Sequence, residues 1–564
     1  MAAQAAKWVI RERPDREKAE EIAQEFGLRP LIAELLLQRG FTESADIAEF
    51  LHPRLSDLSD PFLLPNLDVA VERVFKAIDE KESVVLYGDY DVDGVTSLTL
   101  LHGVLNAYGL NAHTFLPHRM DEGYGLSDQG VERCLTDFKP SLIIAVDCGT
   151  SSIETVTKLR DAGIDVVILD HHEASPDGQP PAVALVNPKL GDDYHYLCSV
   201  GVVFKLAHGM LKQRRIDLDL RDWMDIIALG TVADLVPLVD ENRTFVRKGL
   251  EQLERSQRPG ISQLKMVAGI SGRVQSFDIG FKLGPRLNAA GRLDTAQASL
   301  DLLVCEDEHQ ARVRAQFLDN QNRSRQELEG RIKDEALEML ERFNPKRETG
   351  IVLGSADWHP GVVGIVASRV SKEFHRPTFI IAIDENGVGK GSGRSVEGVS
   401  LVAAIEACRD VLEAGGGHEM AAGLSVRGEN IDEFRERFCS YIAETIDPQL
   451  LRPKLDIDLV ATFDQLNFDL LDSYELVHPL GMGNPSPLFA SRGVHVVEAP
   501  RIIKDKHLRL RMYQNGREIE AMYFNAAQKE LPRLPWDVAY RIDRNVYRGR
   551  VSLGVTVEAI RAAQ

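Results

Sequence analysis

The chain has 564 residues, six cysteines, 44% hydrophobic residues and a net charge of −20. This length predicts three or four domains. No apolar stretch reaches the roughly 18 to 20 residues that span a membrane, and the first residues lack the apolar core of a signal peptide. The scattered cysteines form no CxxC pair, which argues against a disulfide framework or a zinc ribbon and predicts a cytoplasmic protein. The acidic net charge argues against nucleic-acid binding unless basic residues are concentrated locally.

Residues 1–75 are predicted to form an N-terminal helical segment. Two stretches within it, PDREKAEEIAQEF and PLIAELLLQRG, have the spacing of amphipathic helices. A Pro-rich connection follows them, and no chemistry is visible in this segment.

Residues 76–305 are predicted to form an α/β domain with a parallel sheet. The β-branched runs SVVLYG, SLIIAV and DVVILD alternate with the helical stretches GVTSLTLLHGVLNAYG and SSIETVTKLRDAG. This alternation predicts a sheet with helices on both faces. Ligands in such sheets bind beyond the carboxyl ends of the strands.

Acidic residues and histidines follow the predicted strands of this domain. They are Asp89, Asp91 and Asp93 after VVLYG, Asp147 after LIIAV, and Asp170, His171 and His172 after VVIL; a helical stretch adds Asp234. We expect the first three aspartates to alternate along an extended segment and to point to one side, with Gly94 allowing a tight turn into a helix.

These oxygen donors with an imidazole suit Mn²⁺ or Mg²⁺ better than a thiolate-seeking zinc ion. Two ions bridged by a shared carboxylate would offset the repulsion between the aspartates. A solvated acidic turn is the usual explanation of an isolated DxD sequence, but the recurrence at several strand ends favours a metal site.

Residues 306–345 are predicted to form a connecting helix, since they are polar on most sides and contain one glycine before Asn344-Pro345. Residues 346–449 then form a second predicted α/β domain. It contains the glycine-rich sequences GSGRS and GGGH, and the latter ends at His418. An ordinary flexible turn is one explanation of GGGH; a phosphate held by backbone amides and the histidine is the other.

Residues 450–564 are predicted to form a small β-barrel, with a hairpin through Asn515-Gly516. The sequences RIIKDKHLRLR and YRIDRNVYRGR concentrate cations, and the second also contains Tyr540 and Tyr547. Cations interleaved with aromatic rings are typical of a groove for single-stranded nucleic acid. A solvated sheet face is the competing explanation.

Four ordered motifs resemble those of the DHH phosphoesterase superfamily: GDYDVDG, VDCG, LDHHE and TVADLVPL. PRLNAAGRLDTA, WHPGVVGIVASRV, GSGRS and GGGHEMAAG, followed by a barrel, resemble more closely the RecJ family within it. The sequence PLGMGNPSP departs from that family, which more often has Phe at the position of Leu480 and Glu at the position of Ser486. This departure concerns only the junction with the barrel.

The resemblance implies an α/β fold in which a parallel-sheet DHH domain and a DHH-associated domain are joined by a long helix and followed by an OB-like β-barrel. It also implies a metal-dependent exonuclease that degrades single-stranded DNA in the 5′-to-3′ direction, in DNA repair and recombination. The implied cofactors are two Mn²⁺ or Mg²⁺ ions. The implied partners are single-stranded DNA, a helicase and a single-strand-binding protein, with no membrane.

The resemblance also assigns site residues. The metal ligands would be Asp91, Asp93, Asp147, His171 and Asp234, with Asp89 and His172 in or beside the site. The residues expected to hold DNA or phosphate are Arg119, Tyr124, Arg286, Arg292, Ser392, Arg394, Gly416, Gly417 and His418. Among these, Arg119, Arg292 and Arg394 are expected to bind a terminal 5′ phosphate, although any one arginine is more often a surface residue.

Two other functions are compatible with parts of the sequence. A DHH phosphodiesterase acting on short oligonucleotides or dinucleotides would need neither the long helix nor the basic barrel. A non-catalytic DNA-binding scaffold would not need the ligands, yet every motif ligand is present.

Overall fold

The computed structural model describes residues 6–118, 122, 125–293, 296–344, 348–547 and 549–563. The chain divides into two compact units. The larger unit comprises residues 9–288, 296–315 and 456–564, and most of the smaller unit is residues 316–455. Within the described ranges, no helix combines the length and the apolar character needed to cross a membrane.

The helices and strands, numbered in chain order, are as follows. The helices are α1 (Arg16–Phe26), α2 (Pro30–Gln38), α3 (Ser44–Leu51), α4 (Leu67–Glu80), α5 (Val92–Ala107), α6 (Asp128–Phe138), α7 (Ile153–Asp161), α8 (Ser199–Gln213), α9 (Met224–Ala233), α10 (Asp240–Arg255), α11 (Pro259–Val267), α12 (Ser276–Asp278), α13 (Gly284–Leu293), α14 (Gln297–Leu303), α15 (Glu308–Met339), α16 (Val363–Phe374), α17 (Leu401–Ala407), α18 (Ile431–Thr445) and α19 (Phe468–Glu475). The strands are β1 (Lys7–Ile10), β2 (Val84–Gly88), β3 (His113–Phe115), β4 (Leu142–Val146), β5 (Asp165–Leu169), β6 (Ala184–Val186), β7 (Ile351–Ser355), β8 (Thr378–Ile383), β9 (Val388–Arg394), β10 (Ala414–Gly417), β11 (Ala421–Arg427), β12 (Lys454–Ile457), β13 (Leu459–Val460), β14 (Phe489–Val496), β15 (Arg501–Ile503), β16 (His507–Gln514), β17 (Arg517–Tyr523), β18 (Trp536–Tyr547) and β19 (Arg550–Ala562).

The larger unit contains a five-stranded parallel sheet with the strand order β3-β2-β4-β5-β6. This confirms the predicted parallel sheet and its three buried strands β2, β4 and β5. Strand β2 lies between β3 and β4 in the sheet. The connection from β2 to β3 and the next one, from β3 to β4, therefore run in opposite directions along the sheet. The carboxyl ends of β2 and β4 therefore border the crevice in which such sheets bind ligands.

The smaller unit contains a mixed sheet with the strand order β10-β11-β9-β8-β7, in which only β7 and β8 are parallel. Alternate residues of β9 are glycines that pack closely on the apolar side chains beneath them, such as Phe379 under Gly393. Ser392 and Arg394 lie on the opposite face of the strand. The GGGH glycines are not a flexible turn, because Gly415–417 belong to the edge strand β10.

The C-terminal residues form a closed five-stranded barrel, as predicted. Strand β14 pairs with both β18 and β16, and the circuit is completed through β19 and β17, which pair in parallel. The predicted hairpin joins β16 to β17. Asn515 and Gly516 there have φ angles of 50° and 77°, the left-handed values that such a two-residue turn requires.

The N-terminal helices share one hydrophobic core with this barrel. Leu31, Ile32, Leu35 and Leu36 of α2 are buried in the same cluster as barrel residues such as Phe489. The amphipathic pattern predicted the helices but not this partner, which is more than 400 residues away in the chain.

Candidate metal centre

Three aspartates lie where strand β2 leads into helix α5. Asp89 directly follows β2, Asp91 caps the N-terminus of α5, and Asp93 lies in its first turn. The Asp91 carboxylate accepts hydrogen bonds from the amides of Asp93 and Gly94 at 2.8 and 3.1 Å. The predicted extended alternation is therefore wrong, because aspartate is a preferred N-cap and the helix already begins at Val92.

Gly94 is required by a close approach of two backbone segments. A Cβ atom at this position would overlap the carbonyl group of Asp89. The glycine thus lets the first turn of α5 lie directly against the end of β2, which brings Asp93 beside Asp89.

The side chains from the other strand ends converge on the same place. The Nε2 atom of His171 lies 3.5 Å from Oδ1 of Asp147, 3.5 Å from Oδ2 of Asp234 and 3.9 Å from Oδ2 of Asp93. Oxygen atoms of Asp89, Asp91 and Asp147 also lie within 4.8 Å of one another. The structure therefore brings together Asp89 and the five residues that the family resemblance assigned as metal ligands.

Helix α8 holds two of these carboxylates in place. The amides of Ser199 and Val200, in its first turn, donate to the two oxygens of Asp93 at 2.6 and 2.9 Å. The Ser199 hydroxyl donates to Asp147 at 2.9 Å. Asp147 itself has a φ of 61°, a left-handed conformation that is uncommon for a residue other than glycine.

Burial and mutual repulsion disfavour the ionised carboxylates in the protein alone. Burial, followed by the charge of Asp91, raises the pKa of Asp93 to about 7. Burial and neighbouring aspartates raise the pKa of Asp234 to about 9 and also raise that of Asp147. Burial lowers the pKa of His171 to about 4, so its imidazole is neutral and can act as a ligand.

These residues fit a divalent cation. Nε2 of His171 and Oδ2 of Asp234 are buried and have no hydrogen-bond partner among the described residues. Buried polar atoms are nearly always satisfied, so this pair indicates a missing ligand. Several carboxylates with one neutral imidazole form the hard donor set that Mn²⁺ and Mg²⁺ prefer.

His172 differs from His171 in its environment. Its Nδ1 is 2.7 Å from Oδ1 of Asp170. Burial opposes protonation of the ring, but the bond and charge of Asp170 outweigh it and raise the pKa of His172 to about 9. For Asp170 too, burial opposes the charged form, but the bonds from His172 and Thr150 outweigh it and lower its pKa. His172 is thus a cation beside the carboxylates, suited to contact a phosphate.

Three of the predicted phosphate residues of the smaller unit, Ser392, Arg394 and Gly416, lie on one sheet face. Gly416 of β10 pairs with Gly423 of β11, which pairs with Ser392 of β9, so the three lie in a row. No atom comes within 4 Å of a Cβ placed on Gly416, so this face is open there. Arg394 lies on the same side of β9 as Ser392, and burial lowers its pKa. Gly417 and His418 follow at the exposed end of β10.

Four other assignments are placed differently or not at all. Arg119 and Tyr124 lie outside the described residues, and so does the side chain of Arg292. Arg286, near the start of α13, donates to the carbonyl group of Lys282 just before that helix at 2.7 Å and to that of Val267 at the end of α11 at 3.4 Å. Its role in holding phosphate stays a prediction.

Comparison with known proteins identifies three regions of the chain. The DHH family N-terminal domain matches residues 83–231, the DHHA1 domain matches residues 348–444, and the RecJ OB domain matches residues 457–559. The single-stranded-DNA-specific exonuclease RecJ of Escherichia coli is 34% identical over 562 residues, 94% of this chain and 96% of that protein. The chain belongs to the RecJ family. The Bacillus subtilis member, with the same description, is 36% identical over 94% of this chain and 67% of its own length.

Solved structures of the RecJ family have the same fold. The crystal structure of RecJ from Thermus thermophilus in complex with Mn²⁺ has a TM-score of 0.85 and 28% identity, covering 99% of this chain and 80% of that one. The Mg²⁺ complex from the same organism has a TM-score of 0.79 and 26% identity, covering 99% and 79%.

The sequence motifs do not reveal the residues that support the ligands. Ser199 and Val200 donate to ligands through a helix N-terminus that the sequence CSVG does not single out. Asn187 is buried and donates to the Thr150 hydroxyl and to the His172 carbonyl group, which fixes the loop carrying both histidines. An asparagine after a short buried strand was the available signal, but asparagine is common in such turns.

The barrel surface is less basic than its sequence indicated. Tyr540 is wholly buried in the barrel core, so its expected role in stacking on bases is wrong. Most of the clustered arginines are paired with carboxylates. These pairs are Arg501 with Glu498, Arg509 with Glu520, Arg511 with Glu518, Arg541 with Glu558, and Arg544 with Asp472.

Proposed function

We propose that this protein is a metal-dependent exonuclease that hydrolyses single-stranded DNA in the 5′-to-3′ direction, and that two Mn²⁺ or Mg²⁺ ions serve it. The observation that carries the proposal is the convergence of three carboxylates on the Nε2 atom of His171, which has no hydrogen-bond partner in the part of the chain that the structure describes. The chain also belongs to the RecJ family. The polarity rests on the family resemblance. A role in repair and recombination, with a helicase and a single-strand-binding protein as partners, rests on it as well.

The ligands assigned to the ions are Asp89, Asp91, Asp93, Asp147, His171 and Asp234. Bound divalent cations would lower the pKa of an attacking water and stabilise charge on the phosphodiester. The residues of the chain provide the rest. Ser199 and Val200 fix the direction of the Asp93 carboxylate, and His172, held protonated by Asp170, donates to a nonbridging phosphate oxygen through Nε2.

The first test concerns the ligands. Asp93→Ala and His171→Ala should each lower the rate of hydrolysis by more than about 1,000-fold, because each removes a ligand from the reacting centre. Binding of single strands should change little, since the barrel retains its surface. The measurements are initial rates on a long single strand and on a dinucleotide, with Mn²⁺ present, and fluorescence anisotropy for binding.

Two outcomes would contradict the proposal. Near-normal turnover by either variant would remove its residue from the site. Faster cleavage of the dinucleotide than of the long strand by the unaltered protein would favour a small-substrate phosphodiesterase instead.

The second test concerns recognition of the strand end by Arg394. If its guanidinium binds a 5′ phosphate, Arg394→Ala should slow cleavage of a 5′-phosphorylated strand by at least about tenfold, because such charge-assisted bonds are strong. The same change should have little effect on a 5′-hydroxyl strand. Lys390→Ala, four residues earlier on the same face of β9, is the matched control. Equal fractional losses on both substrates would show that Arg394 does not contact the phosphate.

A further inference from the structure

The sequence GMGN lies in a loop that packs against the segment following the ligand Asp234. The junction loop, residues 477–484, connects α19 to the barrel. The ligand segment, residues 234–239, connects α9 to α10. Both belong to the larger unit. The amide of Leu238 donates to the carbonyl group of Met482 at 2.7 Å.

Two glycines of the junction loop make this packing possible. A Cβ on Gly481 would lie 2.7 Å from the Leu238 side chain. Gly483 has a φ of 71°, and a Cβ there would lie 3.0 Å from Pro237 and 3.3 Å from Val239. The ligand segment therefore fits against backbone that carries no side chain, only three residues beyond Asp234.

Buried polar side chains fix the junction loop from behind. Arg243, at the start of α10, donates to the carbonyl groups of Leu476, Val477, His478 and Pro479, over 2.9 to 3.3 Å, and to that of Phe50 at 2.7 Å. Asn484 is buried and donates to the carbonyl groups of Val477 and Pro479. Asn242 donates to Pro237 of the ligand segment at 3.0 Å. One short stretch of α10 thus holds both segments.

The Asp234 carboxylate has no hydrogen-bond donor to orient its Oδ2 atom among the described residues. Its direction must then follow from the backbone that carries it. That backbone leaves α9 through Leu235, which has a φ of 62°, and next meets the junction loop.

We infer that the junction loop positions Asp234 for metal binding, with Gly481 and Gly483 as positioning residues. The inference rests on the proposed metal site and extends it, because the loop that leads into the barrel would then help to hold the ligand Asp234 in place. Supporting residues of this kind typically change metal affinity by about 10- to 100-fold when they are altered.

A matched pair of glycine substitutions tests this. Gly483→Ala adds a Cβ against Pro237 and Val239, whereas Gly493→Ala adds one where nothing lies within 4 Å. The two glycines have φ angles of 71° and 66°, so alanine suffers the same backbone strain at both. Only the first change should displace the ligand segment.

Mn²⁺ affinity, measured by calorimetry without DNA, should be about tenfold weaker in Gly483→Ala than in Gly493→Ala. Hydrogen exchange of the Leu238 amide in the metal-free protein should accelerate only in Gly483→Ala. Single-strand binding should be equal in both variants. Leu238→Ala, which removes the side chain facing Gly481 without adding a clash, should weaken Mn²⁺ binding in the same direction and serves if Gly483→Ala does not fold.

Asp234→Ala distinguishes the role of Asp234 as a ligand from the positioning role of the junction loop. If Asp234→Ala binds Mn²⁺ as the unaltered protein does, the assignment of the ligand itself fails. If Asp234→Ala loses affinity while Gly483→Ala and Gly493→Ala have equal affinities, the ligand stands and the positioning role of the loop is overturned.

Discussion

At the scale of single residues, the site is built from groups that are unfavourable in the protein alone. Asp93 and Asp147 are buried, Asp234 is partly buried, and all three have raised pKa values. The Nε2 atom of the neutral His171 faces them with no hydrogen-bond partner among the described residues. Their arrangement lowers the stability of the folded metal-free protein. A cation that binds the folded state would raise that stability again. Protons are the alternative to the cation, so metal binding and proton binding must compete.

This competition predicts how pH affects the metal-free protein. By about pH 6 an unfolded chain has released nearly all of its carboxyl protons. Folded Asp93 and Asp234 retain theirs up to about pH 7 and 9. The folded state thus binds more protons, and its stability in EDTA should fall as the pH rises from 6 to 9. Mg²⁺ should raise the melting temperature more at pH 9 than at pH 6, because ionised ligands are then stabilised.

Asp234→Asn provides the comparison, since it removes one of the titrating groups. Its melting temperature in EDTA should depend less on pH than that of the unaltered protein, while Asp505→Asn, in an exposed turn, should leave the dependence unchanged. The difference in melting temperature between the unaltered protein and Asp234→Asn, both in EDTA, should fall from pH 6 to pH 9. A difference that rises over this range would contradict the assigned pKa shifts.

At the scale of elements, the barrel hairpin shows why clustered cations are a weak predictor of a DNA surface. Strands β16 and β17 place each arginine near a glutamate, so Arg509 and Arg511 are paired with Glu520 and Glu518 at 2.6 and 2.7 Å. The sequence RLR (residues 509–511) is basic, but the neighbouring strand carries the sequence REIE (residues 517–520), whose glutamates lie beside these arginines. A phosphate must displace these glutamates before it reaches the arginines.

Neutralising the glutamates should therefore strengthen DNA binding. In Glu518→Gln/Glu520→Gln, affinity for a long single strand should rise severalfold, and the salt dependence should steepen by up to about 0.7 per arginine that gains a phosphate contact. The fold should be little affected, because solvent screens these exposed ion pairs. Binding curves at several salt concentrations measure the affinity and its salt dependence. An unchanged affinity at every salt concentration would show that DNA does not contact this face.

The sequence predicted the strands and the convergence of the residues that follow them, and there is a definite physical reason for this. Buried parallel strands are continuous apolar runs, so β2, β4 and β5 are visible in one dimension, and ligands that follow them must meet at one sheet edge. What the sequence did not show were partners set by the third dimension. Examples are the amide of Ser199 on Asp93, the glutamates beside the arginines, and the burial of Tyr540.

At the scale of the whole molecule, the N-terminal helices α1 to α3 and the C-terminal barrel form one hydrophobic core within the larger unit. The apolar faces of α1 to α3 are buried against the barrel, in the same core as Phe463, Phe489 and Tyr540. Removing residues 456–564 alone should therefore not leave an intact catalytic core. It would expose the buried leucines and isoleucine of α2, each worth about 1.5 to 3 kcal/mol of burial.

Two truncated chains test this organisation. Residues 1–455 should aggregate or bind a hydrophobic dye, because the N-terminal helices have lost their partner. Residues 53–455, which lack both the helices and the barrel, should fold and still cleave short single strands. Circular dichroism, size-exclusion chromatography and dye binding distinguish the two chains. If residues 1–455 were as well folded as residues 53–455, the shared core would not matter for folding.

The truncated chain of residues 53–455 also tests the role of the junction loop in the metal site, because it lacks that loop. If that loop positions Asp234, this chain should need about tenfold more Mn²⁺ for half-maximal cleavage of a short strand than the full chain. A short strand gains little from the barrel, so loss of DNA contacts alone would raise the KM for DNA and leave the Mn²⁺ requirement unchanged. Titrating Mn²⁺ at saturating DNA separates the two effects. An equal Mn²⁺ requirement in both chains would mean that the barrel contributes to strand binding but not to the metal site.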